Sequence, residues 1–207
     1  MTETSATAAE DHRPPNWNIA NQVTAARLVA SLILFFTLQQ AGVSDGRAWY
    51  LISVVLFLLA AATDWVDGYL ARSRNLVTKL GRILDPLADK FIICGTFVYL
   101  SSLPGSGVPA WMTVIVVCRE LVVTVLRSFL EQNGKDFSAK MPGKLKMVFQ
   151  CALAVASMLL LAQTAGGTTP AAWLSNTVFA LAWLMVLSTL YSGILYLPAA
   201  ARELGDI

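Results

Sequence analysis

Asp64-Trp65-Val66-Asp67-Gly68-Tyr69-Leu70-Ala71-Arg72, resumed after eight residues by Gly81-Arg82-Ile83-Leu84-Asp85-Pro86-Leu87-Ala88-Asp89-Lys90, decides how the rest of the chain is read. On a helix, positions 64, 67, 68, 71 and 72 stand at i, i+3, i+4, i+7 and i+8, so two carboxylates, two small residues and an arginine share one face. By the same rule Gly81, Asp85 and Asp89 share a face of the following helix. The short connection, residues 73 to 80, makes the two helices close neighbours in an antiparallel pair.

Four carboxylates gathered beside apolar sequence repel one another and lose hydration, so they need cations or raised pKa values to persist. A divalent metal is the simplest answer, and ligands that are all oxygen suit hard ions such as Mg²⁺, with Mn²⁺ next. The plainer alternative is a set of helix-end ion pairs with Arg72, Arg74, Lys79, Arg82 and Lys90. Ionisable groups at membrane depth are rare and usually functional, which favours the metal.

The full pattern, Asp-x2-Asp-Gly-x2-Ala-Arg-x8-Gly-x3-Asp-x3-Asp, is filled by Asp64, Asp67, Gly68, Ala71, Arg72, Gly81, Asp85 and Asp89. It resembles the signature of the CDP-alcohol phosphotransferases, integral membrane enzymes of phospholipid synthesis. The resemblance implies a divalent-metal-dependent transferase that holds two Mg²⁺ (or Mn²⁺) ions on Asp64, Asp67, Asp85 and Asp89, with Asp89 also taking the proton of the acceptor hydroxyl.

Composition agrees with a bilayer. The chain has 207 residues, 56% hydrophobic and only 14% charged, with a mean hydropathy of +0.61, too apolar for an ordinary soluble domain. Apolar runs fall near residues 22–40, 49–71, 84–103, 109–130, 145–164 and 171–197, each about the length that spans a hydrocarbon core as helix. The expected fold is therefore an all-α integral membrane protein of six transmembrane helices. Residues 1–15, closed by Pro14-Pro15, read as a disordered cytoplasmic tail, and 16–207 as a single catalytic domain. Pro86 belongs in a first helical turn, so the helix that carries Asp89 is expected to start near residues 82 to 85.

Basic residues orient the spans. Junctions 41–48, 104–108 and 165–170 hold only Arg47, whereas the tail and junctions 71–83 and 131–146 hold Arg13, Arg72, Arg74, Lys79, Arg82, Lys135, Lys140, Lys144 and Lys146. The positive-inside rule places both termini and the aspartates on the cytoplasmic side, and the expected location is the cell inner (cytoplasmic) membrane with the active site facing the cytoplasm. Cys94, Cys118 and Cys151 are odd in number and lie in apolar runs, which argues against a disulfide framework and for packing roles. His12 is the only histidine and sits in the polar tail, which disfavours histidine-ligated zinc and Ser-His-Asp catalysis.

The first run opens Asn18-Ile19-Ala20-Asn21-Gln22-Val23-Thr24-Ala25-Ala26-Arg27. Asn18 can cap the helix and Arg27 can snorkel to headgroups; equally, the segment resembles the family's opening motif, with Ala20 in place of a proline. That resemblance implies that Asn21, Thr24 and Arg27 border the CDP-diacylglycerol site. Gly68 and Ala71 suit either close helix packing or room for a flat ligand. Arg72 offers a forked donor set for a diphosphate. Thr78, three residues before Gly81, either binds the nucleotide or caps the next helix.

The fourth run places Arg119-Glu120 near its middle, expensive unless a polar cavity or a paired bridge receives it. Arg127 lies two turns on, within about 80° of Arg119, and Lys135, Lys140, Lys144 and Lys146 follow around Met141-Pro142-Gly143. These lysines suit a headgroup patch, but Arg119-Glu120-Leu121 and Gly143-Lys144-Leu145-Lys146 also resemble the phosphatidylglycerophosphate synthase branch of the family, although Met147 stands where that branch often has threonine. The implied acceptor is sn-glycerol 3-phosphate, its phosphate held by Arg119, Arg127, Lys140 and Lys144. Other family acceptors (inositol phosphate, phosphatidylglycerol, serine) are the alternatives, and a cation transporter is a remote one, because it leaves Gly68, Ala71 and Arg72 unexplained and spans one, five and six lack acids. The resemblance further implies a homodimer and no nucleic-acid partner. Gln150, Gln163, Asn176 and Ser192 read as isolated polar groups in a scaffold formed by the last two spans.

Overall fold

A computed structural model describes the backbone of residues 19–73, 79–132 and 141–195 and the side chains of residues 22–63, 87–128 and 145–195. The described residues form six α-helices: α1 (Ile19–Ser44), α2 (Arg47–Ser73), α3 (Lys79–Ser102), α4 (Ala110–Gln132), α5 (Met141–Thr164) and α6 (Ala172–Ile194). Each of the six apolar runs corresponds to one helix. The expected tail and its His12 lie outside the described residues.

Among the described residues, Gln22–Ser44, Leu145–Thr164 and Ala172–Ile194 are helical segments long and apolar enough to cross a membrane, and α2 adds the shorter apolar stretch Arg47–Thr63. The apolar sequence of α3 and α4 is broken by Asp89, Lys90, Arg119, Glu120 and Arg127, although both helices are continuous. The outer surface is apolar: Leu32, Phe36, Val125 and Phe179 are each more than half exposed. Large apolar side chains in that number do not face water on a soluble monomer, so the chain is a multi-pass membrane protein.

α3 packs against α1, α4 and α5, and α5 against α2, α3 and α6, so these two helices form the middle of the bundle. The core between them is built from Phe57, Phe97, Leu100, Leu153 and Met158, all fully buried. Gly95 lets α1 close on α3, since a Cβ there would overlap the Phe35 ring. Phe35 uses that space to stack on Tyr99 at 5.6 Å between centroids. Two buried hydroxyls, Thr37 Oγ1 and Ser53 Oγ, lie 2.8 Å apart and join α1 to α2, and Thr113 Oγ1 of α4 donates to the Phe97 carbonyl of α3 at 3.2 Å. Such bonds satisfy polar atoms that have no water to turn to.

The α1–α2 and α5–α6 turns meet at one end of the bundle, where the Gly166 amide donates to Asp45 Oδ2 at 3.1 Å. Gly166 and Gly167 both have φ of +79°, a left-handed pair that glycine adopts without a Cβ penalty. All three cysteines are free; Cys118 is exposed on α4 rather than packed inside.

Two helix starts differ from expectation. α3 begins at Lys79, so Pro86 is its eighth residue and not part of its first turn. Proline there forgoes one ladder bond, a loss that membrane helices tolerate when neighbours compensate. α5 begins at Met141, with Pro142 at its second position, so the last residues counted in the 131–146 junction are helical and Lys146 rides on that helix. Proline suits a first helical turn, where the missing N–H has no partner to lose.

Candidate active site

Both motif blocks are helical, as their spacing requires: Asp64, Asp67, Gly68, Ala71 and Arg72 fall on α2, and Gly81, Asp85 and Asp89 on α3. The side chains of all these residues except Asp89 lie outside the described ones, as do those of Asn21 on α1 and Lys144 on α5. Thr78 and Lys140 lie outside the described residues altogether. Among the described side chains no group of three His, Cys, Asp or Glu is positioned to hold a metal.

Asp89 and Arg27 are brought to one place. Both line one small, partly open cavity, together with Ala60 and Ala61 of α2 and Met147 and Cys151 of α5. Four helices therefore converge on Asp89. Thr24 and Arg27 are 1% and 3% exposed, so neither reaches a headgroup region by snorkelling; their place is the interior beside the third helix. The cause is the close α1–α3 packing just described.

A second set of charges lies deeper. Glu120 of α4 is 1% exposed. Its Oε1 accepts from Lys146 Nζ of α5, from Arg119 Nη1 at 3.3 Å and from Gln150 Nε2 at 3.5 Å. Lys90 Nζ of α3 lies 2.5 Å from Oε2 and 3.5 Å from Asp89 Oδ2. The knot thus ties α3, α4 and α5 together and touches the first cavity through Lys90 and Asp89. Removing a carboxylate from water costs several kcal/mol, about 3–5 of which reappear when a buried pair is broken.

The expected acceptor set is only partly visible. Arg119 is inside the knot, with its side chain 9% exposed. Arg127 is half-buried, and its Nε is enclosed with no hydrogen-bond partner among the described residues. Lys90, Lys146 and Gln150 belong to the knot although sequence reading gave them no such place. Lys146 is 6% exposed, a buried ion-pair partner rather than a headgroup lysine, and Gln150 is a ligand of Glu120 rather than scaffold. Their i, i+4 spacing put them on one helix face; which helix that face meets is a tertiary fact.

Residues 17–192, well over half of the chain, match the family model described as CDP-alcohol phosphatidyltransferase. Among curated proteins, the chain is 38% identical over 153 residues to a CDP-diacylglycerol–glycerol-3-phosphate 3-phosphatidyltransferase of Bacillus subtilis, covering 70% of this chain and 77% of that protein. It is 35% identical over 190 residues to a probable phosphatidylglycerophosphate synthase of Mycobacterium tuberculosis, covering 92% and 85%. With the CDP-diacylglycerol–glycerol-3-phosphate 3-phosphatidyltransferase of Escherichia coli it shares 32% over 159 residues, 74% of this chain and 81% of that one.

Proposed function

The chain belongs to the CDP-alcohol phosphatidyltransferase family, and from that premise we propose that it transfers the phosphatidyl group of CDP-diacylglycerol to sn-glycerol 3-phosphate, giving phosphatidylglycerophosphate and CMP in phospholipid biosynthesis. The observation that carries the acceptor is the buried charge balance. Lys90, Arg119 and Lys146 surround a single buried carboxylate, Glu120, and with Asp89 paired to Lys90 these five described side chains carry one formal positive charge in excess. Excess cations inside a bilayer protein call for an anion. A phosphate carrying nearly two negative charges near neutral pH meets that demand, whereas serine or inositol does not.

In this reading Arg119, Arg127, Lys140 and Lys144 hold the acceptor phosphate, and Asn21, Thr24, Arg27, Gly68, Ala71, Arg72, Thr78 and Gly81 border the CDP-diacylglycerol. The convergence of Arg27 and Asp89 on one cavity supports the second group. The oxygen-only donor set of Asp64, Asp67, Asp85 and Asp89 fits two Mg²⁺ or Mn²⁺ ions, which when bound supply neutralisation of the diphosphate and of the charge that grows on the CMP leaving group. Asp89 accepts the proton of the acceptor hydroxyl as its oxygen bonds to the phosphatidyl phosphorus and the bond to CMP breaks. Phosphoryl transfer asks mainly for positioning and charge neutralisation, which is what these side chains offer.

All six helices span the bilayer in this proposal, as one catalytic domain over residues 16–207 with residues 1–15 as a tail. Both termini and the aspartates face the cytoplasm of an inner membrane, where nucleotide enters from water while acyl chains stay in lipid. The working unit is a homodimer. The test is direct: purified protein is given CDP-diacylglycerol and a panel of acceptors, and products are identified by mass. Phosphatidylglycerophosphate with stoichiometric CMP is expected; a product with another acceptor and none with glycerol 3-phosphate overturns the assignment.

A further inference from the structure

The proposed reaction leaves Glu120 without a part, yet this buried acid is where two helices are joined. α4 packs on α3 and α6, and α5 on α2, α3 and α6; among the described residues α4 and α5 pack little on each other. Two hydrogen bonds reach from α5 to α4, and both end on Glu120: Oε1 accepts from Lys146 Nζ and, at 3.5 Å, from Gln150 Nε2. Lys146 and Gln150 stand at i, i+4, so one face of α5 grips the carboxylate. Arg119 Nη1 of α4 reaches the same oxygen at 3.3 Å, and Lys90 of α3 lies 2.5 Å from Oε2.

The helices joined in this way carry the cations given to the acceptor: Arg119 and Arg127 lie on α4 and Lys144 on α5. A phosphate shared between two helices is held well only at one spacing of those helices, because its donors must converge. Extensive packing does not set that spacing here. A charge-assisted link in a water-excluded interior is strong enough to do so.

We infer that Glu120 is a positioning residue of the acceptor site: by tying Lys146 and Gln150 of α5 to α4, it sets the spacing between Arg119 and Arg127 on one helix and Lys144 on the other. This rests on the acceptor assignment in the proposed function. Charge alone predicts the opposite sign. Removing a carboxylate from among cations strengthens their attraction for a phosphate dianion, whereas loss of the tie between α4 and α5 weakens its binding.

The experiment is steady-state kinetics of the full chain in lipid nanodiscs, with CDP-diacylglycerol and glycerol 3-phosphate varied in turn. Glu120→Gln keeps the shape of the side chain and removes its charge. It is expected to raise the KM for glycerol 3-phosphate by roughly 10- to 100-fold, the scale of a misplacement of about 1 Å, while kcat and the KM for CDP-diacylglycerol stay within about threefold of wild type. A KM for glycerol 3-phosphate that is unchanged or lower overturns the inference, and so does an equal rise in both KM values, which marks general loss of structure. Should Glu120→Gln not yield folded protein, Gln150→Leu decides, because it cuts one tie without changing any charge. A rise of about threefold or more in the KM for glycerol 3-phosphate alone, the scale of one hydrogen bond, supports the inference, and no rise overturns it. Wild-type protein that makes no phosphatidylglycerophosphate from glycerol 3-phosphate defeats the proposed function and this inference with it. Wild-type turnover beside an unchanged KM in Glu120→Gln defeats only the part given to Glu120.

Discussion

Lys146 of α5 donates a hydrogen bond to Glu120 of α4 across 26 residues of sequence, with both side chains almost wholly enclosed. Replacing Lys146 with methionine keeps the volume of its stem and removes one donor from a buried acid that retains Lys90 and Arg119. The expected loss is about 1.5–3 kcal/mol, the range for a hydrogen bond to a charged group, read as a lower midpoint of thermal unfolding in detergent. A Lys146→Met variant as stable as wild type would show that the remaining cations satisfy Glu120 unaided.

How much of this was open to sequence reading follows from what each signal depends on. Apolar run length is local, so the runs at 22–40 and 145–164 fall inside α1 and α5. Helix starts are less local: Met141-Pro142-Gly143 falls in a junction outside the apolar run, yet a proline in a first turn costs the helix nothing, and α5 absorbs it. Arg119-Glu120 stood out because charge in mid-span is expensive. Lys146 did not, because in sequence it continues a run of lysines that reads as a headgroup patch, and only the packing of α5 against α3 turns it inward. Lys90 was hidden by its neighbour Asp89, whose motif accounted for the whole segment.

If the aspartates hold divalent cations, Asp67→Asn abolishes turnover while the protein remains inserted and folded, and a chelator does the same reversibly. Neutralising one carboxylate of a shared site removes both a ligand and part of the charge that attracts the ion. The check is CMP release with and without EDTA; full activity in excess chelator excludes the metal.

General-base catalysis contributes roughly 10²- to 10⁴-fold, so Asp89→Asn is expected to lose at least that much turnover, and more if a metal ligand goes with it. The side chain lines the cavity shared with Arg27 and is 30% exposed, so it is accessible to substrate rather than sealed in the core. Near-normal turnover in Asp89→Asn with metal bound would move the proton transfer to another group.

The acceptor is tested through Arg127 and Lys144. Family acceptors differ in charge, and a phosphate placed near four carboxylates needs cations of its own. Arg119 is already committed to Glu120 at 3.3 Å, whereas Arg127 Nε is enclosed and has no hydrogen-bond partner among the described residues, so a bound anion can give it one. Charge-assisted hydrogen bonds are worth about 1.5–3 kcal/mol each, so Arg127→Ala or Lys144→Ala is expected to weaken use of glycerol 3-phosphate by roughly 10- to 150-fold. Binding of CDP-diacylglycerol is expected to stay near wild type in both, since neither residue belongs to the nucleotide set. Steady-state kinetics with each substrate varied in turn makes the comparison. Loss confined to the nucleotide substrate, or faster turnover of free inositol or serine by the wild-type protein, would remove the acceptor assignment and leave the transferase class standing.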